Sequence, residues 1–410
     1  MATHIHRFTA TDRQFALKPG EGADSVHTNP TYAYAVCELH TDGPHMGVGL
    51  SFTLGGGNNL VCKAIMLLAE ELRGREIEEL MTNFGVTYKA LSNHHQLRWL
   101  GPHKGVVHLA LASIVNACFD LWAKSRGVPL WRLLLDLSPS QLVALLDLSY
   151  LEDVMPASRA VAILDSELPH REARKAVLTT GYPGYDTSIG WFHYSDADIQ
   201  ENAVQAVAAG FTAIKLKIGS CDGGRDIRRA RLVRKAVGDG VHLMVDCNQQ
   251  WTLSRAVRIC LELAEISPYW IEEPTHPDDV TAHQTLARSI APLKLAVGEH
   301  VPNAIVFKNY LQAQAASFIQ VDCTRVGGIS EFLTVSLMCR LFGIPVVPHV
   351  GDMGQIHQHL VLFNHIAAGH DKIFLEHIPH LREHFVFPAR VEGGVYLTPE
   401  TPGSSSDLVV

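Results

Sequence analysis

Ionisable side chains follow short apolar stretches at six successive places in the second half of the chain. Each stretch is typical of a buried strand, and a charged group at its end is costly unless it finds a partner. A single carboxylate in such a place is often only a helix N-cap. Six in a row instead predict one shared site, where parallel strands end together at the mouth of a barrel. The residues are Lys215 and Lys217, Asp246 and Asn248, Glu272 and Glu273, Glu299, Asp322, and His349.

Carboxylates from three consecutive strand ends predict a binding site for a hard divalent cation. Asp246 and Glu299 supply two of them, and either Glu272 or Glu273 supplies the third. Alternation along a strand points only one member of that pair into the barrel, and both assignments stay open at this point. Oxygen ligands suit Mg²⁺, with water or substrate completing the octahedron. The alternative is that these carboxylates form ion pairs with Lys or Arg side chains.

The segment IKLKIG places two lysines one residue apart. Lys215 and Lys217 therefore point to the same side of the strand, toward the barrel interior. Two neighbouring ammonium groups repel, so we expect each to lower the pKa of the other. A lysine that becomes neutral in this way can act as a base. The alternative is a pair of structural lysines that are neutralised by nearby carboxylates.

Asp322 and His349 follow successive strands across the predicted barrel from Lys217. A carboxylate beside an imidazole fixes its tautomer and raises its basicity. Together the parts fit removal of a proton alpha to a carboxylate by Lys217 or His349, with the cation and Lys215 stabilising the resulting charge. The group on the other face then either returns a proton, which is epimerisation, or protonates a leaving hydroxyl, which is dehydration.

Short apolar strands alternate with helices of about 10–15 residues from Gln141 onward. Such repeats predict a parallel sheet with helices on its faces, and their number favours a closed barrel. The chain has no G-x-G-x-x-G between a strand and a helix, which argues against a dinucleotide-binding fold. The predicted strands are GYDTSIG, TAIKLKIG, HLMVDCN, YWIEEP, LKLAVGE, FIQVDC and IPVVPH.

The first 140 residues predict a separate α+β domain. TYAYAVCEL and MGVGLSFTL have the composition of strands and flank a turn, which predicts an antiparallel ribbon. NLVCKAIMLLAEELRG and KGVVHLALASIVNACFDLWAKSRG are helical patterns that end at glycines. The C-terminal PETPGSSSDLVV is small and polar, and we expect it to be frayed.

Composition excludes several classes of protein. The 410 residues carry a net charge of −8, which disfavours binding to nucleic acid or to an anionic membrane. The eight cysteines form no CxxC pair and lie in apolar segments, which is typical of reduced, buried thiols in a cytoplasmic protein. Neither a secretory leader nor a membrane-spanning run is evident in the sequence. The expected partner is a small molecule.

The barrel motifs resemble the mandelate racemase group of the enolase superfamily, whose members use a Lys or His base with Mg²⁺. They are TAIKLKIG, VDCNQQW, WIEEPTHPDD, AVGEH, QVDCTRVGGISE and PVVPHVGDMG. Segments outside the barrel, such as QLRWLGPHKGVVHLA and EHIPHLREHF, are similar to L-fuconate dehydratases and fungal L-galactonate dehydratases. The similarity covers nearly the whole chain, and its motifs match in order, spacing and residue type together.

The resemblance implies a modified (β/α)₇β barrel over residues 141–376 and an α+β capping domain over residues 1–140. Residues 377–410 would return to the cap, and cap loops around residues 27–30 and 54–59 would close the pocket. The Mg²⁺ ligands would be Asp246, Glu272 and Glu299, which selects Glu272 over Glu273. Residues near the substrate would include Asn248, His300, His27 and Thr28.

The resemblance also implies the reaction of an acid-sugar dehydratase, a hydro-lyase of carbohydrate catabolism. Lys217 would abstract the α-proton with help from Lys215, and His349, paired with Asp322, would expel the 3-hydroxyl. Glu376 in FLEHIP would hydrogen-bond the substrate or its enediolate. The product would be a 2-keto-3-deoxy sugar acid, and L-fuconate or a related aldonate is the expected substrate. Members of this group often form symmetric homo-oligomers, which is the expectation for this chain.

Three features depart from the family pattern near the pocket. His300 stands where close relatives have Gln or Met, Asp186 stands where they have Thr, and the segment after His349 is shorter and less glycine-rich. A dehydratase for a different aldonate or aldarate is therefore one alternative. An epimerase or racemase on the same metal site is another. A barrel retained only for binding or regulation is disfavoured, because no predicted ligand or base is missing.

Overall fold

The N-terminal part of the protein is a three-stranded antiparallel sheet. The computed structural model describes residues 3–409, and this sheet has the order β1 (Ile5–Ala16), β2 (Thr31–Thr41) and β3 (Met46–Thr53). The predicted ribbon of β2 and β3 is confirmed. Strand β1 was not predicted, because it is an edge strand in which half of the residues are exposed and only two are buried. Its polar sequence therefore lacks the alternation that identifies a half-buried strand.

Helices of the N-terminal part pack on one face of this sheet. They are α1 (Asn58–Leu68), α2 (Ile77–Thr82), α3 (Phe84–Ser92) and α4 (Val106–Ser125). Helix α4 crosses β3 so closely that a Cβ on Gly49 would lie 1.9 Å from the Ser113 carbonyl oxygen. Among the described residues, α4 is the one helix long and apolar enough to cross a membrane, but 89% of that stretch is buried inside the protein.

Five short helices connect this part to the barrel. They are α5 (Leu130–Asp136), α6 (Pro139–Val143), α7 (Ala157–Glu167), α8 (Arg171–Arg174) and α9 (Val177–Thr180). The barrel begins after α9 with a strand that pairs on both sides with parallel neighbours. Its strands are β4 (Tyr182–Gly190), β5 (Ala213–Lys217), β6 (His242–Asp246), β7 (Ile271–Glu272), β8 (Leu295–Val297), β9 (Phe318–Ile319) and β10 (Leu375–His377).

The barrel strands run parallel in chain order from β4 to β9, and β10 pairs with β4 from the other side. The predicted strand IPVVPH is present as a bridge between Val346 and Ile319 rather than as a full ladder. Helices cover the outside: α10 (Asp196–Ala208), α11 (Gly223–Val237), α12 (Leu253–Leu263), α13 (Val280–Ser289), α14 (Ala304–Ala313), α15 (Gly328–Phe342) and α16 (Ile356–Ile366).

Strand register brings the predicted site residues side by side. Lys217 on β5 is paired with Asp246 on β6, and Asp246 is paired with Glu272 on β7. All three are the last residues of their strands. Since parallel strands of a barrel end at the same face, this register collects one lysine and two carboxylates at its C-terminal mouth.

The C-terminal segment folds back on both parts of the protein. Strands β11 (Val391–Glu392) and β12 (Val395–Tyr396) form a hairpin that pairs with β4. The expectation of a frayed tail is wrong, because Asp120 of α4 accepts hydrogen bonds from the Ser404 amide and hydroxyl at 2.7 and 2.9 Å. Small polar side chains fit this buried place because the hydroxyls of Ser404 and Ser406 are hydrogen-bonded there, and lie 2.8 Å apart. The domain boundaries at residues 140 and 376 stay predictions.

Replacement of Asp120 with alanine is expected to lower the free energy of unfolding by about 2–6 kcal/mol, because the buried amides of Val48 and Ser404 lose their acceptor at a cost of about 1–3 kcal/mol each. Asp120 is fully buried, contacts Lys124 at 2.7 Å and also accepts from the Val48 amide. Urea unfolding measures the loss. Asp136→Ala is the control, since its pair with Arg132 is about half exposed, and equal losses in both variants would contradict this role.

Candidate active site

A cavity of about 340 Å³ lies between the barrel mouth and the N-terminal part of the protein. The barrel supplies the side chains at its strand ends, and the N-terminal part supplies residues from its first loop, from the end of β3 and from the start of α4. The cavity therefore combines predicted catalytic groups with residues far away in sequence. Its polar lining residues are Asp24, His27, Tyr32, Thr53, Lys104, His108, Lys217, Glu299, His300, Arg325, His349 and Glu376.

Three carboxylates meet beside this cavity, and Glu299 is the one that lines it. Oxygens of Asp246, Glu272 and Glu299 all lie within 4.8 Å of one another, and all three residues are buried. Burial and the Asp246 carboxylate raise the pKa of Glu272 to about 8. Buried like charges at such distances repel, and a divalent cation relieves that repulsion. The oxygen donors thus fit a hard cation such as Mg²⁺.

The neighbouring Glu273 turns away from Asp246 and Glu272. Its oxygens accept from the His300 and Gly298 amides at 3.0 and 3.2 Å, and its Oε2 lies 2.8 Å from His300 Nδ1. The backbone of Glu273 has a positive φ of 37°. Residues other than glycine rarely adopt this conformation, and those that do are often found at functional sites. Glu273, Glu299 and His300 form a second group with ligand atoms within 4.8 Å. Variants of Glu272 and Glu273 can show which of the two groups binds a cation.

Both lysines of β5 reach these carboxylates. Lys215 Nζ lies 2.8 Å from Glu272 Oε1 and 2.8 Å from Glu376 Oε1, and Lys217 Nζ lies 2.5 Å from Asp246 Oδ2. Burial disfavours the ammonium forms, but the carboxylates outweigh it and raise the pKa of both lysines. Lys215 does lower the pKa of Lys217, as expected, but the carboxylates outweigh this effect, so the expected neutral lysine is not obtained in the protein without a cation. A cation on Asp246 and Glu272 would compete for these oxygens and favour a neutral amine.

His349 and Asp322 form a dyad on the other side of the carboxylates. His349 Nδ1 lies 2.8 Å from Asp322 Oδ2, and His349 Nε2 lies 3.5 Å from Glu299 Oε1. Burial opposes the charge on Asp322, but His357 and His349 hold its pKa well below the usual range. Asp322 is therefore an acceptor, which places a proton on Nδ1 and directs Nε2 of His349 to the cavity.

Glu376 and Asn248 complete the buried polar shell. Glu376 accepts from the Thr187 hydroxyl at 2.6 Å and from the Val350 amide at 3.0 Å, and it lines the cavity beside Lys215. Asn248 Oδ1 accepts from Lys217 at 3.3 Å, behind the carboxylates. Glu376 and Asn248 therefore orient Lys215 and Lys217, respectively.

Three predicted substrate residues have different positions. His300 and His27 line the cavity, and His27 is held by Asp24, whose Oδ2 lies 3.0 Å from His27 Nδ1. Thr28 is exposed to solvent outside the cavity lining. The structure thus does not bring Thr28 to the cavity, because the loop turns at Asp24 and directs His27 inward instead.

Several cavity residues were not identified from the sequence. Asp24, Tyr32, His108 and Arg325 lie in segments that carry no strand-end pattern, and three of them belong to the N-terminal part of the protein. Arg325 Nη2 lies 3.3 Å from Glu299 Oε1, and its position three residues after Asp322 was the one available signal. The other three residues are identified only by their positions in the folded protein, which the sequence pattern does not show.

Comparison with known proteins agrees with this geometry. Residues 198–408 match the family described as Enolase C-terminal domain-like. Mitochondrial enolase superfamily member 1 of Homo sapiens is 39% identical over 98% of this chain and 93% of the human protein. Its crystal structure superposes with a TM-score of 0.96 at 38% identity and covers 100% of this chain and 95% of that one. The chain belongs to the enolase superfamily.

Two further similarities concern proteins with named reactions. L-galactonate dehydratase of Hypocrea jecorina is 37% identical over 94% of this chain and 88% of its own length. The structure of L-talarate/galactarate dehydratase from Salmonella typhimurium, liganded with Mg, has a TM-score of 0.80 at 24% identity and covers 100% of this chain and 92% of that one. The predicted family and the predicted barrel with an α+β cap are confirmed.

Proposed function

We propose that this protein is a Mg²⁺-dependent acid-sugar dehydratase. The observation that carries the proposal is the placement of two proton carriers at opposite ends of one carboxylate cluster. Lys217 contacts Asp246 at 2.5 Å, and His349 Nε2 faces Glu299 at 3.5 Å. Both Lys217 and His349 line the same cavity. A substrate on the cluster would thus have one carrier on each face.

Asp246, Glu272 and Glu299 would hold the cation. When bound, Mg²⁺ supplies positive charge that stabilises the negative charge developing on the substrate carboxylate. Lys215 adds a second positive charge within 4 Å of Asp246 and Glu272, and Glu376 orients that lysine. These groups stabilise an enediolate once the α-proton has left.

Lys217 removes the proton from the carbon alpha to the substrate carboxylate, and its amine becomes an ammonium group. Electrons of the C–H bond form the enediolate. His349 then gives its Nε2 proton to the 3-hydroxyl as the carbon–oxygen bond breaks, so that water leaves. The enol product becomes a 2-keto-3-deoxy acid by taking a proton at C3. Asp322 keeps Nδ1 protonated throughout and thereby directs Nε2 to the substrate.

We propose L-fuconate or a related aldonate as the substrate. The support is the similarity to L-galactonate dehydratase over most of both chains. His300 and Arg325 add donors to the cavity wall, so an aldarate with a second carboxylate is the main competing substrate. A panel of aldonates and aldarates with Mg²⁺, assayed for α-keto acid by semicarbazide absorbance, tests the assignment. Formation of keto acid from aldarates but from no aldonate would reject an aldonate as the substrate.

An epimerase or racemase would use the same two proton carriers. It differs in the second step, where His349 would return a proton to carbon instead of giving it to oxygen. Deuterium at C2 of recovered or epimerised substrate, without any keto acid, would favour that reaction. The dehydratase proposal is supported by the named activities of the relatives.

A matched pair of variants tests the cation site. Glu272→Gln is expected to weaken Mg²⁺ binding by at least about 10-fold, since even residues that only support metal ligands contribute about 10–100-fold. Glu273→Gln is expected to leave Mg²⁺ affinity nearly unchanged, because Glu273 accepts from His300 instead. Isothermal titration calorimetry of the metal alone gives both values. The reverse ranking would assign the cation to Glu273, Glu299 and His300.

A further inference from the structure

Asp322 contacts two histidines rather than one. Its Oδ2 lies 2.8 Å from His349 Nδ1, and its Oδ1 lies 2.9 Å from His357 Nε2. His357 is in the first turn of α16, directly after the segment in which this chain departs from the family pattern. Oδ1 also accepts from the amide and hydroxyl of Thr324, both at 2.7 Å. Both oxygens of the carboxylate are therefore engaged.

The contact with His357 is buried. Asp322 is 1% exposed and His357 is 3% exposed, and His357 lies outside the cavity lining. The Cys323 amide is directed as a donor at the same Nε2 of His357 at 3.2 Å, and Cys323 Sγ lies 3.4 Å from that nitrogen. The carboxylate contact is the shortest of these and involves a full negative charge, so it determines that Nε2 carries the proton.

We propose that His357 is a positioning residue for the dehydration step, acting through Asp322 on His349. This inference rests on the proposed dehydratase function. His357 holds the second carboxylate oxygen and shares its negative charge, while the first oxygen holds the Nδ1 proton of His349. His349 is thereby fixed with Nε2 toward the substrate and releases that proton to the departing hydroxyl.

Loss of the His357 contact is expected to slow the elimination step and not the abstraction of the α-proton. Removal of the α-proton is assigned to Lys217, which has no contact with His357 among the described residues. Cleavage of the C3–O bond needs the His349 proton on the leaving oxygen, and the enediolate electrons form the new carbon–carbon double bond. A loosened Asp322 therefore slows elimination, and the enediolate returns to substrate instead.

Two amide variants that differ by one methylene test the contact. His357→Gln can reach Oδ1 with a neutral donor, whereas His357→Asn is too short. In D₂O with Mg²⁺ and an accepted acid sugar, we expect His357→Asn to lower kcat for keto acid by about 10–100-fold, the range for residues that orient a functional histidine. Its KM should stay nearly unchanged, and deuterium exchange into recovered substrate should rise relative to elimination. His357→Gln should restore most of the wild-type kcat.

His359→Asn is the matched control. His359 is buried on the same helix two residues further on, but its Nδ1 accepts from the Trp131 amide, far from Asp322. Its ratio of exchange to elimination should equal that of the wild type. His357→Leu, which lacks any donor, serves as a second variant if His357→Asn is insoluble.

An unchanged ratio in both His357→Asn and His357→Leu would overturn the proposal and leave His357 as a packing residue. Equal effects of His357→Asn and His359→Asn would do the same. A failure of the dehydratase function itself is distinct, because the wild-type protein would then yield no keto acid from any acid sugar.

Discussion

Lys217→Ala is expected to abolish both α-proton exchange and keto acid formation, with a loss of about 10²–10⁴-fold or more, the contribution typical of a general base. Lys217 is a proton carrier at the end of β5 that contacts Asp246 and lines the cavity. Without it, no enediolate forms, so no later step can proceed. Exchange measured by NMR in D₂O and keto acid measured by absorbance report the two effects separately.

Lys294→Ala is the control for that experiment. Lys294 directly precedes β8, at the opposite end of the barrel, and lies over the ring of Tyr269. Its replacement should leave both rates close to those of the wild type. If Lys217→Ala kept deuterium exchange, another group would be the base, and His349 would be the first candidate.

His349→Asn is expected to separate the two halves of the reaction. Asparagine can still donate to Asp322 but cannot give a proton to the leaving hydroxyl, so keto acid formation should fall by about 10²–10⁴-fold. Exchange of the α-proton with D₂O should persist, because Lys217 and the carboxylate cluster are intact. The same NMR sample shows both results, as deuterium at C2 of the recovered substrate and as missing product.

His283→Asn provides the comparison, since His283 is a buried histidine of α13 that contacts Tyr310 rather than the site. It should retain elimination. Loss of exchange as well as elimination in His349→Asn would contradict the division of roles and indicate that His349 removes the α-proton.

The barrel could be predicted from sequence because its strands are buried on both faces. Segments such as IKLKI and LMVD are continuous apolar runs interrupted only by residues that point to the site, so the pattern identifies strand and function together. The register that pairs Lys217 with Asp246 and Asp246 with Glu272 follows from the positions of these residues at the strand ends. Family resemblance then supplied the choice of Glu272.

Other features depend on tertiary packing that the sequence pattern does not contain. Strand β1 is exposed and polar, so its pairing with β2 is visible only in the fold. Ser404 of the tail is held by Asp120, which lies 284 residues earlier. Burial lowers the pKa of Lys217, and its net rise depends on the positions of three carboxylates from different parts of the chain, Asp246, Glu299 and Asp24. Asp24 reaches the cavity through a loop with no periodic pattern at all.

The reaction proposed for this protein is removal of water from an acid sugar after abstraction of the α-proton. The most direct test is proton NMR of the product formed by the Mg²⁺-loaded protein in D₂O. We expect a 2-keto-3-deoxy acid with one deuterium at C3. Recovered or epimerised substrate with deuterium at C2 and no keto acid would contradict dehydration and indicate an epimerase, and neither product nor exchange across the panel would contradict catalysis at this site.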